Sequence, residues 1–278
     1  MPVFETSKPI SATLDLAVGD VRLDADHRTD VVVEVRPSDP ASEADIKAAE
    51  GTRVEYAAGE LLVKAPQRGL FGRTGAIDVA IDLPSGSHVK AVVHRGAFRS
   101  SGRLGQCRFK TSTGDIELEE TGPLVASTSF GDITVARAQG SAEAVTGSGL
   151  VRMRELECSA VIKNSNGNSW VGEVTGSLRV QAANGAISVG TAHGSVEART
   201  ANGDIEIGEV MSGSIVLGTT AGRIEVGISP GTAALLDVRT KSGSVQNSLT
   251  PTDGPEKSDR TVEVQAGTAV GDIVIHRA

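Results

Sequence analysis

The sequence predicts an all-β protein: a parallel β-helix (solenoid) with coils of about 18 residues and one short N-terminal helix. Three observations predict it. Glycines recur at 86, 96, 105, 114, 122, 131, 140, 149, 167, 176, 185, 194, 203, 213, 222 and 231, nearly always nine residues apart. After each, an apolar residue at +2 and another at +4 flank a polar one at +3, the alternation of a half-buried strand. And 278 residues contain one Trp, one Tyr and five Phe, a composition that suits a thin aliphatic core.

The motif is clearest in Gly114-Asp115-Ile116-Glu117-Leu118, Gly131-Asp132-Ile133-Thr134-Val135, Gly203-Asp204-Ile205-Glu206-Ile207 and Gly222-Arg223-Ile224-Glu225-Val226. Asn184-Gly185 and Asn202-Gly203 add turn chemistry at the same position. Such pairs also suit hairpins, so an antiparallel meander competes. The uniform polarity of the motif favours parallel coils.

The units come in two alternating kinds. The series from 114, 131, 149, 167, 185, 203 and 222 carries large inward residues such as Ile133, Ile187, Ile205 and Val189. The series between them carries small ones such as Ala126, Ala142, Ala144, Ala160 and Ala198. Two unlike strands per coil, stacked on the next coil about 4.8 Å away, give the period of about 18. Leu156, Val174 and Val210 suggest a short third side. Right-handed crossover is the default for parallel strands.

In chain order, residues 1–85 read as irregular N-terminal coils. Gly19-Asp20-Val21-Arg22-Leu23, Val31–Val35, Val54–Tyr56, Leu61–Lys64 and Ile77–Leu83 are weaker strands. Between them lies a short helix, with Asp39 as N-cap, Pro40 at N1 and Gly51 at C′. It is a candidate cap for the open core end. Residues 66–75 read as a mobile loop. Residues 86–278 form the regular β-helix and its terminal coils, in one continuous domain. There, Ala233–Val238, Gly243–Val245, Val262–Val264 and Gly271–Ile275 continue the strands around an exposed loop at 250–260.

The recurring G-D-I/V-x-V/L motif and the closing SGSVQ…VGDIVIHRA resemble a bacterial β-strand-repeat family of unknown function. It is labelled "putative adhesin" and related to the toastrack domains of envelope-stress proteins. The resemblance covers nearly the whole chain. It implies a β-helix-like solenoid and supplies no catalytic residues.

Composition and motifs bound the chemistry. A net charge of −8 excludes a general phosphate-backbone binder, so no nucleic-acid partner is expected. No apolar run approaches the ~18 residues of a membrane span, and the first residues lack the pattern of a secretory signal. Direct membrane insertion is not expected, and the expected location is cytoplasmic. The outward Asp and Glu ladder resembles a calcium β-roll, but its Asp follows Gly directly, one place early for that repeat. The five histidines are scattered, and no nucleophile elbow or phosphate loop occurs. No catalytic residue, metal ligand or cofactor is assigned.

Cys107 reads as a core residue, and Cys158 replaces a corner glycine. Trp170, at an outward +3 position, is a candidate interface anchor; the alternative is a local register slip that buries it, suggested by the polar Ser169 at +2. Val270, Ile273 and Ile275, in the last motif, are candidates for an interface at an open C-terminal end.

The expected function is a non-catalytic scaffold or interaction module that binds a protein partner or a second copy, linked to envelope-stress or regulatory assemblies. The alternatives are a surface adhesin or, further off, a carbohydrate-active β-helix enzyme. The enzyme would need a carboxylate pair and aromatic platforms that are poorly supplied.

Overall fold

The computed structural model describes residues 2–66, 74–250 and 260–278. The loops expected at 66–75 and 250–260 lie, apart from their end residues, outside the described ones. The chain forms two compact units, 1–139 and 140–278.

The first unit contains β1 (Val3–Glu5), β2 (Ser11–Val18), β3 (Val21–Asp26), β4 (Asp30–Pro37), α1 (Glu43–Glu50), β5 (Arg53–Ala57) and β6 (Glu60–Lys64). They are followed by β7 (Ile77–Pro84), β8 (His88–Arg95), β9 (Phe98–Leu104), β10 (Cys107–Thr113), β11 (Ile116–Thr121), β12 (Leu124–Phe130) and β13 (Ile133–Gln139). One sheet runs β1-β4-β7-β3-β9-β11-β13 and the other β12-β10-β8-β2-β6-β5. Successive strands from β8 onward alternate between the sheets and pair in parallel with the strand one coil away. Among the described residues, only the outermost pairs, β1·β4, β4·β7 and β5·β6, are antiparallel.

The helix differs from its expected bounds. Asp39 Oδ1 accepts from the Ala41 amide at 2.9 Å and forms a turn instead of a cap. The N-cap is Ser42, whose hydroxyl accepts from the Asp45 amide. Gly51 follows the last turn at φ −83°, an ordinary right-handed conformation and not the left-handed C′ one. No α1 side chain is buried. Asp45 Oδ1 ties the helix down by accepting from the Ala76 amide at 3.1 Å. The sheet edges themselves are taken by β1 and β5, both short.

The second unit contains β14 (Ala142–Ser148), β15 (Val151–Glu157), β16 (Ala160–Asn166), β17 (Ser169–Val174), β18 (Leu178–Asn184), β19 (Ile187–Ala192) and β20 (Val196–Asn202). After them come β21 (Ile205–Val210), β22 (Gly213–Ala221), β23 (Ile224–Ile228), β24 (Thr232–Ser242), β25 (Val245–Asn247), β26 (Arg260–Val270) and β27 (Ile273–Arg277). Its sheets run β15-β17-β19-β21-β23-β27-β25 and β24-β26-β22-β20-β18-β16-β14, and neighbouring strands pair in parallel. Register follows the repeat: Ile187 lies beside Ser169 and Ile205, each 18 residues away in sequence.

The expected faces hold. Ile133, Ile187, Ile205 and Val189 are at most 2% exposed, while Glu117, Thr134 and Glu206 face solvent and Ser188 is half-exposed. Ala126, Ala142, Ala144, Ala160 and Ala198 are buried, but the same sheets also bury Phe109, Leu178, Ile215 and Leu217, so the small-against-large division is partial. Leu156, Val174 and Val210 are buried as expected. Each sits on the same strand as its coil's other inward residues. Two consecutive non-inward residues, such as Arg154 and Glu155, precede it and break the alternation.

Chain order departs from spatial order at an end of each unit. In the first, β2 and β3 lie between the later β6 and β8, and between β7 and β9. In the second, β26 lies between β22 and β24, and β27 between β23 and β25. The open coil is therefore β24–β25. The strand of Ile273 and Ile275 is an inner one.

Candidate functional site

The repeated Gly-Asp corner is the first place to look for chemistry, because it concentrates carboxylates. Its geometry is structural. Gly203 has φ +150°, and a Cβ there would lie 2.1 Å from the Gly185 carbonyl oxygen of the preceding coil. Only glycine permits that approach. The next residue then bonds across coils. Asp115 Oδ1 accepts from the Asp132 amide at 2.9 Å, Asn168 Oδ1 from Ala186 at 2.9 Å and Asp204 Oδ1 from Arg223 at 2.7 Å. Asp272 Oδ1 accepts from both the amide and the hydroxyl of Ser244, which holds its carboxyl below the usual carboxylate range. Asn serves as well as Asp because the requirement is an acceptor, not a charge.

A second ladder faces inward and is absent from the sequence reading. A Thr three residues before a corner glycine recurs along the sheet and donates to the glycine carbonyl of the neighbouring coil. Thr111 reaches Gly96 O at 3.2 Å, Thr128 Gly114 O at 3.1 Å, Thr200 Gly185 O at 3.2 Å and Thr219 Gly203 O at 3.0 Å. At the open end Thr268 reaches Gly222 O at 3.1 Å and Thr240 reaches Gly271 O at 2.9 Å. Ala182 interrupts the ladder, and Asn164 compensates from one coil earlier. Its Nδ2 donates to both Gly149 O at 3.0 Å and Gly167 O at 2.9 Å. The signal that reveals this ladder is T-x-x-G at the coil period, a polar residue where apolar alternation calls for a core one. Thr200→Val keeps the shape and leaves one acceptor of Gly185 unsatisfied. It should cost about 1–2 kcal/mol in a urea titration.

Several outward charges pair within and across strands: Arg99 with Glu117, Arg179 with Glu197, Lys163 with Glu143 and Arg223 with Glu225. His193 meets Glu173 at 2.8 Å and His276 meets Glu225 at 3.3 Å. Among the described residues, no three His, Cys, Asp or Glu side chains converge to hold a metal ion. Because the corner Asp groups already accept backbone amides, melts in EDTA and in excess calcium should coincide. A calcium-dependent rise of several degrees would show that the ladder binds cations.

Both cysteines are free and buried. Burial pushes the Cys107 thiol up to about 12, so it is no nucleophile near neutral pH. Burial, with Glu157 adding to it, also raises Cys158.

The four interface candidates divide. Trp170 lies outward in the expected register, between Arg152 and Ser188, and is 39% exposed. Arg152 sits 5.8 Å from its ring centroid, and the ring edge covers Gly172. Ser169 points inward instead, where it is buried beside Asn164. Val270 is 58% exposed at the end of β26. Ile273 and Ile275 are fully buried, so neither is an interface residue. They lie between β23 and β25, whose strands cover them on both sides.

The family model described as Toastrack DUF4097 matches residues 14–278. The chain belongs to this family. No curated protein matches the sequence. Three solved structures align over 100% of this toastrack chain at 12% identity. They are a "putative adhesin" from Parabacteroides distasonis (95% of that chain, TM-score 0.33), a "putative cell adhesion protein" from Clostridium sporogenes (97%, 0.18) and a "putative adhesin" from Parabacteroides merdae (95%, 0.34). At these scores they carry no argument about function.

Proposed function

We propose that this toastrack chain is a non-catalytic β-solenoid interaction module. The observation that supports it is the use of the repeated polar groups. The corner Asp and Asn side chains and the inward Thr side chains are spent on bonds between coils, which leaves a stiff frame with ion-paired faces. On this reading the exposed side chains, Trp170 among them, make the contacts. Aromatic rings flanked by Arg are frequent interface anchors. Membership of an envelope-stress or regulatory assembly and a cytoplasmic location are the finer parts of the proposal, tested by fractionation and by the identity of captured proteins.

The deciding experiment is crosslinking in the native cell, followed by purification of the wild type and of Trp170→Ala with an unchanged melting temperature. A defined partner, or a second copy, that the wild type captures and the variant loses supports the module. Release of reducing ends from a polysaccharide by a protein that captures nothing overturns it in favour of an enzyme.

A further inference from the structure

Among the described residues, the long edge strand at the open coil is β24. It spans 11 residues and pairs only with β26 among the described residues. Its inward residues Ala234, Leu236 and Val238 stack on the buried Val262, Val264 and Ala266, yet each stays half-exposed because no strand among the described residues lies beyond them. Leu235 on the outer face is 69% exposed. Natural sheets blunt such edges by shortening them or by placing charges where pairing would bury them. The first unit does so: its edge strands β1 and β5 have 3 and 5 residues, and β5 carries Arg53 and Glu55. A long, partly apolar edge invites a strand.

The sequence of β24 says which strand fits. Its outward residues are Leu235, Asp237, Arg239 and Lys241. Asp237 and Arg239 already meet at 3.0 Å on the same strand. If β24 meets its own copy antiparallel about a twofold axis at Val238, Asp237 faces the partner's Arg239 and Arg239 faces the partner's Asp237. Leu235 then faces the aliphatic stem of the partner's Lys241. Inside, Val238 meets its own copy and Leu236 meets the partner's Thr240. An axis at Asp237 sets carboxylate on carboxylate, and one at Arg239 sets guanidinium on guanidinium. Like charges directly opposite oppose pairing. An axis between residues would set inward side chains against outward ones and break the shared core face. The strand is self-complementary in the Val238 register.

We propose that two copies of this chain join end to end through an antiparallel β24·β24 seam centred on Val238. The seam would extend the sheet from one copy into the other and cover Leu236 and Val238 with their own equivalents. The proposal rests on the interaction-module reading and names a second copy as one partner.

The test is oxidative crosslinking of single-cysteine variants of the full chain, with mass by light scattering. Val238→Cys sits on the axis, where antiparallel Cα atoms are about 4.5–5.5 Å apart, within disulfide range. Leu235→Cys is more exposed, but in this register its equivalent is six residues along the partner strand, about 20 Å away. The expected result is a disulfide dimer for Val238→Cys and none for Leu235→Cys, with a dimer mass before oxidation. Because Val238 is half-buried, a second pair of variants guards against misfolding. Arg239→Glu should weaken the dimer at least about tenfold, and the swap Asp237→Arg/Arg239→Glu should restore most of it. A monomer at tens of micromolar overturns the seam. So do oligomers larger than a dimer, crosslinking at Leu235→Cys instead, or no response to charge. A monomer that still captures a different protein through Trp170 overturns the seam alone and leaves the module. A monomer that captures nothing and degrades a polysaccharide overturns both.

Discussion

Ile205→Asp should destabilise the protein by about 4 kcal/mol or more, with collapse of its thermal transition. Ile205 is fully buried, on β21 between Ile187 of β19 and Ile224 of β23. A carboxylate there would enter a layer of aliphatic side chains with no cation to meet it. The nearest polar inward group on its coil is Thr200, already bonded to the Gly185 carbonyl. The neighbouring Glu206→Gln, on the outer face of the same strand, should change stability by less than about 0.5 kcal/mol. Urea titrations of the two variants side by side check the assignment of faces. Comparable losses for both would mean that the strand is not one-sided.

Gly203→Ala should cost about 3 kcal/mol or more, a large effect for one methyl group on a half-exposed corner. The backbone sits at φ +150°, and the new Cβ would be 2.1 Å from Gly185 O and 2.5 Å from its carbon. Both are backbone atoms of the adjoining coil, so relief requires the coils to part. Coil separation would also stretch the Thr200 bond to Gly185 O and the bond from the Gly185 amide to Asn202 O. Gly59 is the control. It has φ +80° with nothing within 4 Å of a built Cβ. Gly59→Ala carries only the conformational cost of about 1–2 kcal/mol. A ratio near one between these two losses would show that close packing of coils at the corner is not what demands glycine.

Both effects follow from a pattern legible in residues such as Gly203-Asp204-Ile205-Glu206-Ile207. Period-two alternation decides which face of a strand is buried, and that is a local property. The same local logic put Trp170 on an outer face and Cys107 in the core, where the structure has them. The Gly-Asp corner was legible as a motif, but its reason was not: the Asp or Asn is an acceptor for an amide of the adjoining coil, and only stacked coils create that need. The inward Thr ladder was legible as T-x-x-G and passed over, because a threonine in a strand ordinarily signals β propensity and not a bond to a distant carbonyl.

The helix start was misplaced by three residues because Asp39 and Ser42 are both good caps. The choice fell to Ser42, three residues before an Asp45 that also bonds the Ala76 amide. Ile273 and Ile275 show the limit most plainly. Their alternation gave them an inward face, and their place near the end of the sequence suggested an open coil. Alternation states that a side chain needs covering, yet it does not name the strand that covers it. Strands with the same Gly-Asp-Ile pattern are interchangeable neighbours to first order. By itself the sequence determined the coil, its period and the two faces of each strand. Only the tertiary structure decided stacking order. It tucked β26 and β27 inside β24 and β25, because neighbour choice is settled by long-range pairing and by which chain segment can reach across the open end.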